Sequence, residues 1–359
     1  MNLRDRLAAL IAARGPMPIS TYSDICLHDP TAGYYATRPR LGERGDFITA
    51  PHISQMFGEM LALWAIELWE RLGRPAQIRL IELGPGDATM IGDVLRAARA
   101  APAFLGACDV WLVETSAPLK RLQRAALAAA PAPVRWVDEM DAVPTDVPLI
   151  VVANEFLDCL PVEQYVRADG AWRERLVGVD AAGRLRFQMA AACDLPAGPR
   201  RPGAADGSLL ESSSALAAFG TTIGAAVTRA GGAALFIDYG RDGPGFGDTL
   251  QALRGHANEH PLANPGEADL TAHVDFPAFL DAGRKAGAAI SPVRTQGEFL
   301  RELGIETRAA ILAQLHPQHA KRIARQLDRL IGPKQMGSLF KAACLHSAGL
   351  SPPGFGGPP

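Results

Sequence analysis

Cysteine is scarce and carries no pairing pattern. Cys26, Cys108, Cys159, Cys193 and Cys344 are odd in number and none forms a CxxC pair. That argues against a disulfide framework and a cysteine-based zinc site, and for reduced thiols in a reducing compartment. No metal site is expected. Excess charge of one sign is also missing: 36 basic residues face 38 acidic ones, for a net charge of −2. No global basic field therefore invites nucleic acid. No segment reaches the ~18 uninterrupted apolar residues that a bilayer span needs, so membrane insertion is not expected. The opening MNLRDRLAALIAARG is broken by charge and lacks the apolar core and cleavage site of a signal peptide. The expected location is the cytoplasm. Abundant Ala, Gly, Pro and Arg suggest a bacterial genome of high GC content.

The chain is rich in apolar residues, at 48% of 359 positions, enough for a large core or two domains. Residues 2–14 read as a helix, 20–50 as ordered loops, and 53–72 as an amphipathic helix in which Trp64 and Trp69 pack. From residue 78 the pattern alternates. IRLIELG, DVWLVETS, VRWVD and LIVVANEF are short apolar strands, with helical MIGDVLRAARAA and PLKRLQRAALAAA between them. This rhythm predicts a parallel sheet covered by helices on both faces. EQYVR, WRERLVGVD and RLRFQM alternate polar and apolar residues between Gly-containing turns, as an antiparallel meander does. GAALFIDYG reads as a fifth buried strand, and residues 241–273 as loop-rich. A helix follows at 275–287, a strand near 288–295, helices over about 297–331, and a last strand in GSLFKAACLH. The divisions expected are 1–75 (N-terminal helices and covering loops), 76–161 (first part of the core), 162–230 (inserted strands and helix), 231–350 (the rest of the core with a helical insertion) and a frayed tail, 351–359.

The segment LIELGPGDATM carries the first chemical signal. Gly84 and Gly86 begin a dinucleotide fingerprint, but Thr89 stands where its third glycine belongs, and no P-loop lysine is near. Glu82 and Asp87 would repel a pyrophosphate and suit a cation. S-adenosylmethionine is such a ligand, with a sulfonium and an ammonium against one carboxylate. Glu114 ends the second strand, where doubly wound folds place a carboxylate on ribose hydroxyls. It lies thirty positions after Gly84 rather than about 20, and a plain surface cap is its other reading. Asp138, ending the third strand, is a candidate for the adenine amino group or a helix N-cap. ANEFLDCLP closes the fourth strand. Asn154, Glu155 and Asp158 there are candidates to hold ligand or a cationic acceptor, or else a helix cap with solvated acids.

The blocks GERGDFITAPHISQMFGE, IELGPGDATMIGDVLR, VETSAPLKRLQ, ANEFLDCLPVEQ, FIDYG, DLTAHVDF, TQGEFLRELGI and MGSLFKAACL occur in this order. Together they resemble the MidA-like family of S-adenosylmethionine-dependent methyltransferases over about 20–350. The resemblance implies an α/β fold: a seven-stranded, mostly parallel Rossmann-like methyltransferase sheet with an N-terminal helical and loop extension, an antiparallel insertion, and an antiparallel seventh strand. It implies cofactor contacts at Glu82, Gly84, Pro85, Gly86 and Glu114. The GDFITAP segment, Gly45 to Pro51, is implicated with them, including Asp46, Phe47, Thr49 and Pro51. Asn154 and Glu155 match the motif after the fourth strand. His52 departs from the acid usual in the family and is expected to cap the following helix.

The reaction implied is in-line transfer of a methyl group to a protein arginine, possible targets including a respiratory NADH dehydrogenase subunit. Glu155 and Asp158 would hold the guanidinium, with Asp46 and Glu59 as contributors. Tyr34, Tyr35 and Phe47 are candidates to line an acceptor groove or to anchor their loops. GPGFGD at 243–248 reads as a loop at the sheet edge and a candidate lid, and the histidines as structural. A homodimer stays open. So do two rival readings, a non-catalytic assembly factor and a dinucleotide oxidoreductase.

Overall fold

The structure, a computed structural model, describes residues 2–37, 49–195, 203–243 and 245–356. Its central sheet is built from β1 (Ile78–Leu83), β2 (Cys108–Val113), β3 (Val134–Val137), β4 (Leu149–Asn154), β5 (Gly232–Arg241), β6 (Ala289–Ile290) and β7 (Phe340–His346). Their spatial order is β3-β2-β1-β4-β5-β7-β6. The first five are parallel, and β7 runs antiparallel to both β5 and β6. The expected seven-stranded sheet is present. Two two-residue strands, Val274–Asp275 and Arg294–Thr295, extend it.

Successive strand residues feed opposite cores, which is why these strands read as continuous apolar runs. Leu80, Ile150, Val152 and Leu235 pack with the helices Gln55–Arg71 and Thr89–Ala98. Ile81, Val151, Ala153 and Phe236 pack on the other face, against α1 (Ser214–Ala230) and α2 (Phe276–Lys285). These two helices meet through glycine. A Cβ on Gly224 would lie 2.4 Å from the Gly283 carbonyl oxygen, and one on Gly220 2.6 Å from that of Phe279. The glycines that weaken the helical signal of α1 are what let the helices touch.

The inserted meander has a fourth strand, Leu209–Ser212, beside Glu163–Ala168. Met17 pairs with Val177, so the N-terminal helix Leu3–Arg14 shares a third core with the insertion. Four expectations change. Residues Ile19–His28 form a helix rather than loop, with Ile19, Tyr22, Ser23, Cys26 and Leu27 buried at helical spacing. The 53–72 helix is interrupted: Ser54 is extended and caps Gln55–Arg71 by accepting from the Met56 amide. The 241–273 region holds a three-stranded sheet of Gln251–Arg254, Ala257–Glu259 and Asp269–Thr271. Residues 351–356 of the tail are docked, with Phe355 buried 5.3 Å from the Phe299 ring and Ser351 accepting from Arg71.

Replacing Gly224 by Ala tests the glycine contact. The backbone oxygen opposite cannot rotate away, so Gly224→Ala should lower unfolding free energy by about 1–3 kcal/mol in urea titration. An unchanged midpoint would mean that the two helices separate freely.

Candidate functional site

The C-terminal ends of β1–β4 open into one cavity of about 540 Å³, the place where open α/β sheets bind ligands. After β1 the chain turns sharply into Thr89–Ala98. Gly84 and Gly86 take φ of 61° and 55°, and Ala88 takes 68°. A Cβ on Gly84 would stand 2.8 Å from the Phe156 ring, so the turn can approach the fourth-strand loop only with glycine there. The backbone ladder continues across the turn, Gly84 donating to Val113 and Glu114 to Val137, each at 3.0 Å.

Glu82 is 2% exposed, and its Oε2 has no hydrogen-bond partner among the described residues. Burial, reinforced by the charge of Asp87, pushes its carboxyl up to about 8. A cation would supply what this oxygen lacks. Glu114 is also buried, and desolvation raises its carboxyl. It accepts from the Ser116 amide at 2.8 Å and from Gln123 at 3.0 Å. Gln123 is fully buried. It also donates to the Gly86 carbonyl at 2.9 Å and accepts from Trp136 at 3.0 Å. It therefore ties the glycine turn to Glu114, whose oxygens keep lone pairs for a ribose. Asp138 lines the rim but is exposed and paired with Lys120.

Thr49 and Pro51 line the cavity; Asp46 and Phe47 lie outside the described residues. His52 does not cap the helix. It bridges the strap before that helix to the glycine turn, with Nε2 2.9 Å from Asp87 Oδ2 and Nδ1 2.7 Å from Thr49 Oγ1. The Asp87 contact raises the histidine against the opposing effect of burial. Burial would raise Asp87, but bonds from His52 and Thr89 bring it down to about 2. The Ala50 amide donates to Glu155 at 3.2 Å, fixing the strap's other side.

Asn154, Glu155 and Asp158 come together here as expected. Asn154 donates to Glu155 at 2.9 Å, and its own Oδ1 is buried without a partner among the described residues. Glu155 sits at φ 51°, a strained backbone for a non-glycine residue. Burial and then Asp158 push its carboxyl up to about 7. Asp158 is buried rather than a solvated acid. Desolvation raises it to about 6, against the opposing effect of the Tyr239 hydroxyl that donates to it. Tyr35 and Asp269 lie near Asp158, and His28, whose ring is 5.7 Å from that of Tyr35, and Asp24 also line the cavity. Tyr35 is the wall candidate the sequence offers, Asp269 opens the DLTAHVDF block without a chemical signal of its own, and His28 and Asp24 carry no local signal for the site.

Glu59 is not in the site; it is buried under a two-pronged contact from Arg308. Tyr34 is core. The described residues of the 243–248 loop avoid the cavity. Asp248 takes bonds from Gln164 and Arg175, and Phe246 stacks on Trp172, so this loop is docked on the meander rather than poised as a lid.

Among the described residues, every charged side chain on the cavity wall is a carboxylate or a histidine, with no lysine or arginine. A pyrophosphate would find no lysine or arginine there, and the carboxylates would repel it, which disfavours a dinucleotide. Sheet order, glycine turn, orphaned Glu82 and strand-end Glu114 define an S-adenosylmethionine-dependent methyltransferase, and the residues fit that cofactor. The comparisons agree. Residues 60–293 match the family of S-adenosyl-L-methionine-dependent methyltransferases designated Methyltransf_28, and the chain belongs to it. A crystal structure of a protein from Burkholderia thailandensis bound to S-adenosyl-homocysteine is 31% identical. It aligns with a TM-score of 0.84 over 99% of this chain and 92% of its own. The curated protein arginine methyltransferase NDUFAF7, mitochondrial, is 35% identical in Bos taurus, over 93% of this chain and 81% of that protein. The Homo sapiens protein is 33% identical, over 92% and 80%. These relatives are named as mitochondrial and support neither the cytoplasmic nor the bacterial expectation. No helix among the described residues is long and apolar enough to cross a membrane.

Glu82 must shed a proton to face a cation. S-adenosylmethionine affinity should therefore rise as pH approaches about 8. Glu82→Gln should flatten that dependence and weaken binding at least tenfold, the scale of a hydrogen bond to a charged group. Calorimetry across pH measures both, and equal affinity in the variant would contradict the placement.

Proposed function

We propose that this chain methylates arginine side chains of a protein substrate. The observation that carries the reading is a group of carboxylates, Glu155, Asp158 and Asp269, on a cavity wall that has no lysine or arginine among the described residues. A guanidinium is permanently charged, planar and matched to carboxylates in pairs. The relatives named as protein arginine methyltransferases support the same acceptor.

S-adenosylmethionine supplies an electrophilic methyl group whose departure leaves a neutral thioether, so no acid is needed on that side. The protein's task is placement. Glu155 and Asp158 hold the guanidinium so that one nitrogen faces the methyl carbon, and such alignment is worth up to ~7–11 kcal/mol. The nitrogen lone pair forms the N–C bond while the S–C pair returns to sulfur. The proton that the guanidinium then loses passes to one of these carboxylates, whose values near about 7 and about 6 suit a general base at neutral pH. Asn154 keeps Glu155 turned toward the acceptor. Tyr35 and the strap at 49–53 form walls that limit water. Asp138 at the rim is left for the adenine end, and Asp46 and Phe47 for the cover contributed by their segment.

The test is labelled methyl transfer in lysate of cells lacking this protein, followed by mass spectrometry. The expected product is methylarginine on few proteins, and a respiratory NADH dehydrogenase subunit is the candidate suggested by family resemblance. Glu155→Gln and Asp158→Asn should lower transfer on the order of a hundredfold while S-adenosylhomocysteine still binds. Label on a different residue type would overturn the acceptor class.

A further inference from the structure

Asp238 and Tyr239 lie near the C-terminal end of β5 and do not line the cavity. Yet both act on the loop that does. One oxygen of Asp238 accepts three consecutive backbone amides, from Phe156, Leu157 and Asp158, at 3.0, 2.9 and 3.2 Å. Its other oxygen accepts the Tyr239 amide at 2.9 Å. The next rung of the ladder, Glu155 amide to Ile237 carbonyl at 2.9 Å, joins the same two strands at the strained residue. Tyr239 then reaches across and donates its hydroxyl to Asp158. The tyrosine is buried, with His273 and Phe340 rings 5.6 and 5.4 Å away.

We propose that Asp238 and Tyr239 are positioning residues for methyl transfer: Asp238 gathers the 156–158 turn, and Tyr239 sets the Asp158 carboxylate toward the acceptor. This rests on the reading that Asp158 meets the acceptor. The physical reason is specific. A buried side chain at the centre of three converging amides fixes a turn that would otherwise relieve the strain at Glu155. A tyrosine donor on Asp158 Oδ2, together with the backbone amides of Asp158 and Cys159, fixes the direction in which the carboxylate faces the cavity. It also compensates for part of the desolvation that raises Asp158. The titratable groups around Asp158 are Glu155 and Cys159 on its own turn, Asp238 and Tyr239 from β5, and Tyr35 and Asp269 facing them. Its titration is accordingly a property of this group of side chains.

The test reads Asp158 directly. Protein saturated with S-adenosylhomocysteine and labelled with carbon-13 at aspartate carboxyls is titrated by NMR from about pH 4 to about pH 9, a range spanning the carboxylates. Asp158→Asn identifies the resonance. Loss of the donor in Tyr239→Phe should move the Asp158 midpoint to higher pH, because the hydroxyl favours the charged form. S-adenosylhomocysteine affinity should stay unchanged by calorimetry. Binding of N-acetyl-arginine amide to the same complex should fall about tenfold near pH 6, the scale of a hydrogen bond to a charged group. Asp238→Asn should speed hydrogen exchange at the 156–158 amides and again leave S-adenosylhomocysteine bound. An unmoved midpoint with wild-type arginine-amide affinity overturns the positioning role, as does loss of S-adenosylhomocysteine binding, which would make Tyr239 a general structural residue. A wild-type protein that ignores the arginine amide, while Tyr239→Phe still moves the midpoint, sinks the arginine acceptor and leaves the positioning role standing.

Discussion

A buried carboxyl with no cationic partner, at the C-terminal ends of the sheet's strands, is the constraint around which this site is built. Glu82 is buried with one oxygen unpaired, at a point where no lysine or arginine of the described wall reaches it. Burying a carboxylate without a partner is costly, and the empty protein meets that cost by raising the group's affinity for a proton. A cationic ligand removes the need for the proton. The same wall that favours a sulfonium also favours a guanidinium, so one electrostatic character serves the cofactor and the proposed acceptor.

The two halves of the cavity come from different parts of the chain. The cofactor half is made by the loops after β1, β2 and β3, locked together by Gln123. The half proposed for the acceptor comes from the loop after β4, with the helix Ile19–His28 and Tyr35 from the N-terminal segment and Asp269 from the three-stranded sheet. The strap at 49–53 crosses both, holding Asp87 through His52 and Glu155 through Ala50. Where the family resemblance implies an acid, this chain therefore places a histidine in an ion pair with the glycine turn. The strap is tethered by a group that gains charge as pH falls.

Much of the core was legible because its signals are local. The five parallel strands, four of them buried, appear as apolar runs closed by a polar residue or a glycine, and GPG announces its own turn. The residues that complete the site are silent in sequence because their partners are remote. Gln123 looks like a helix-surface residue until Gly86, Glu114 and Trp136 surround it. Asp238 and Tyr239 take meaning only beside Asp158, some eighty positions earlier. Strands of three or four residues in 251–271 carry too little periodicity to show. The proline- and glycine-rich tail was read as frayed, but a single phenylalanine, Phe355, anchors it in the core. Ile19–His28 did carry a helical pattern, obscured by its polar and β-branched residues. Glu59 shows the opposite failure: an acid near the motif segment whose charge is already taken by Arg308.

The most direct measurement is a crystal structure of this protein with S-adenosylmethionine. The expected result places the ribose hydroxyls on Glu114, the charged methionine end beside Glu82, and the methyl group facing Glu155 and Asp158. A cofactor seated the other way round, with its adenine among Asn154, Glu155 and Asp158, would contradict the account.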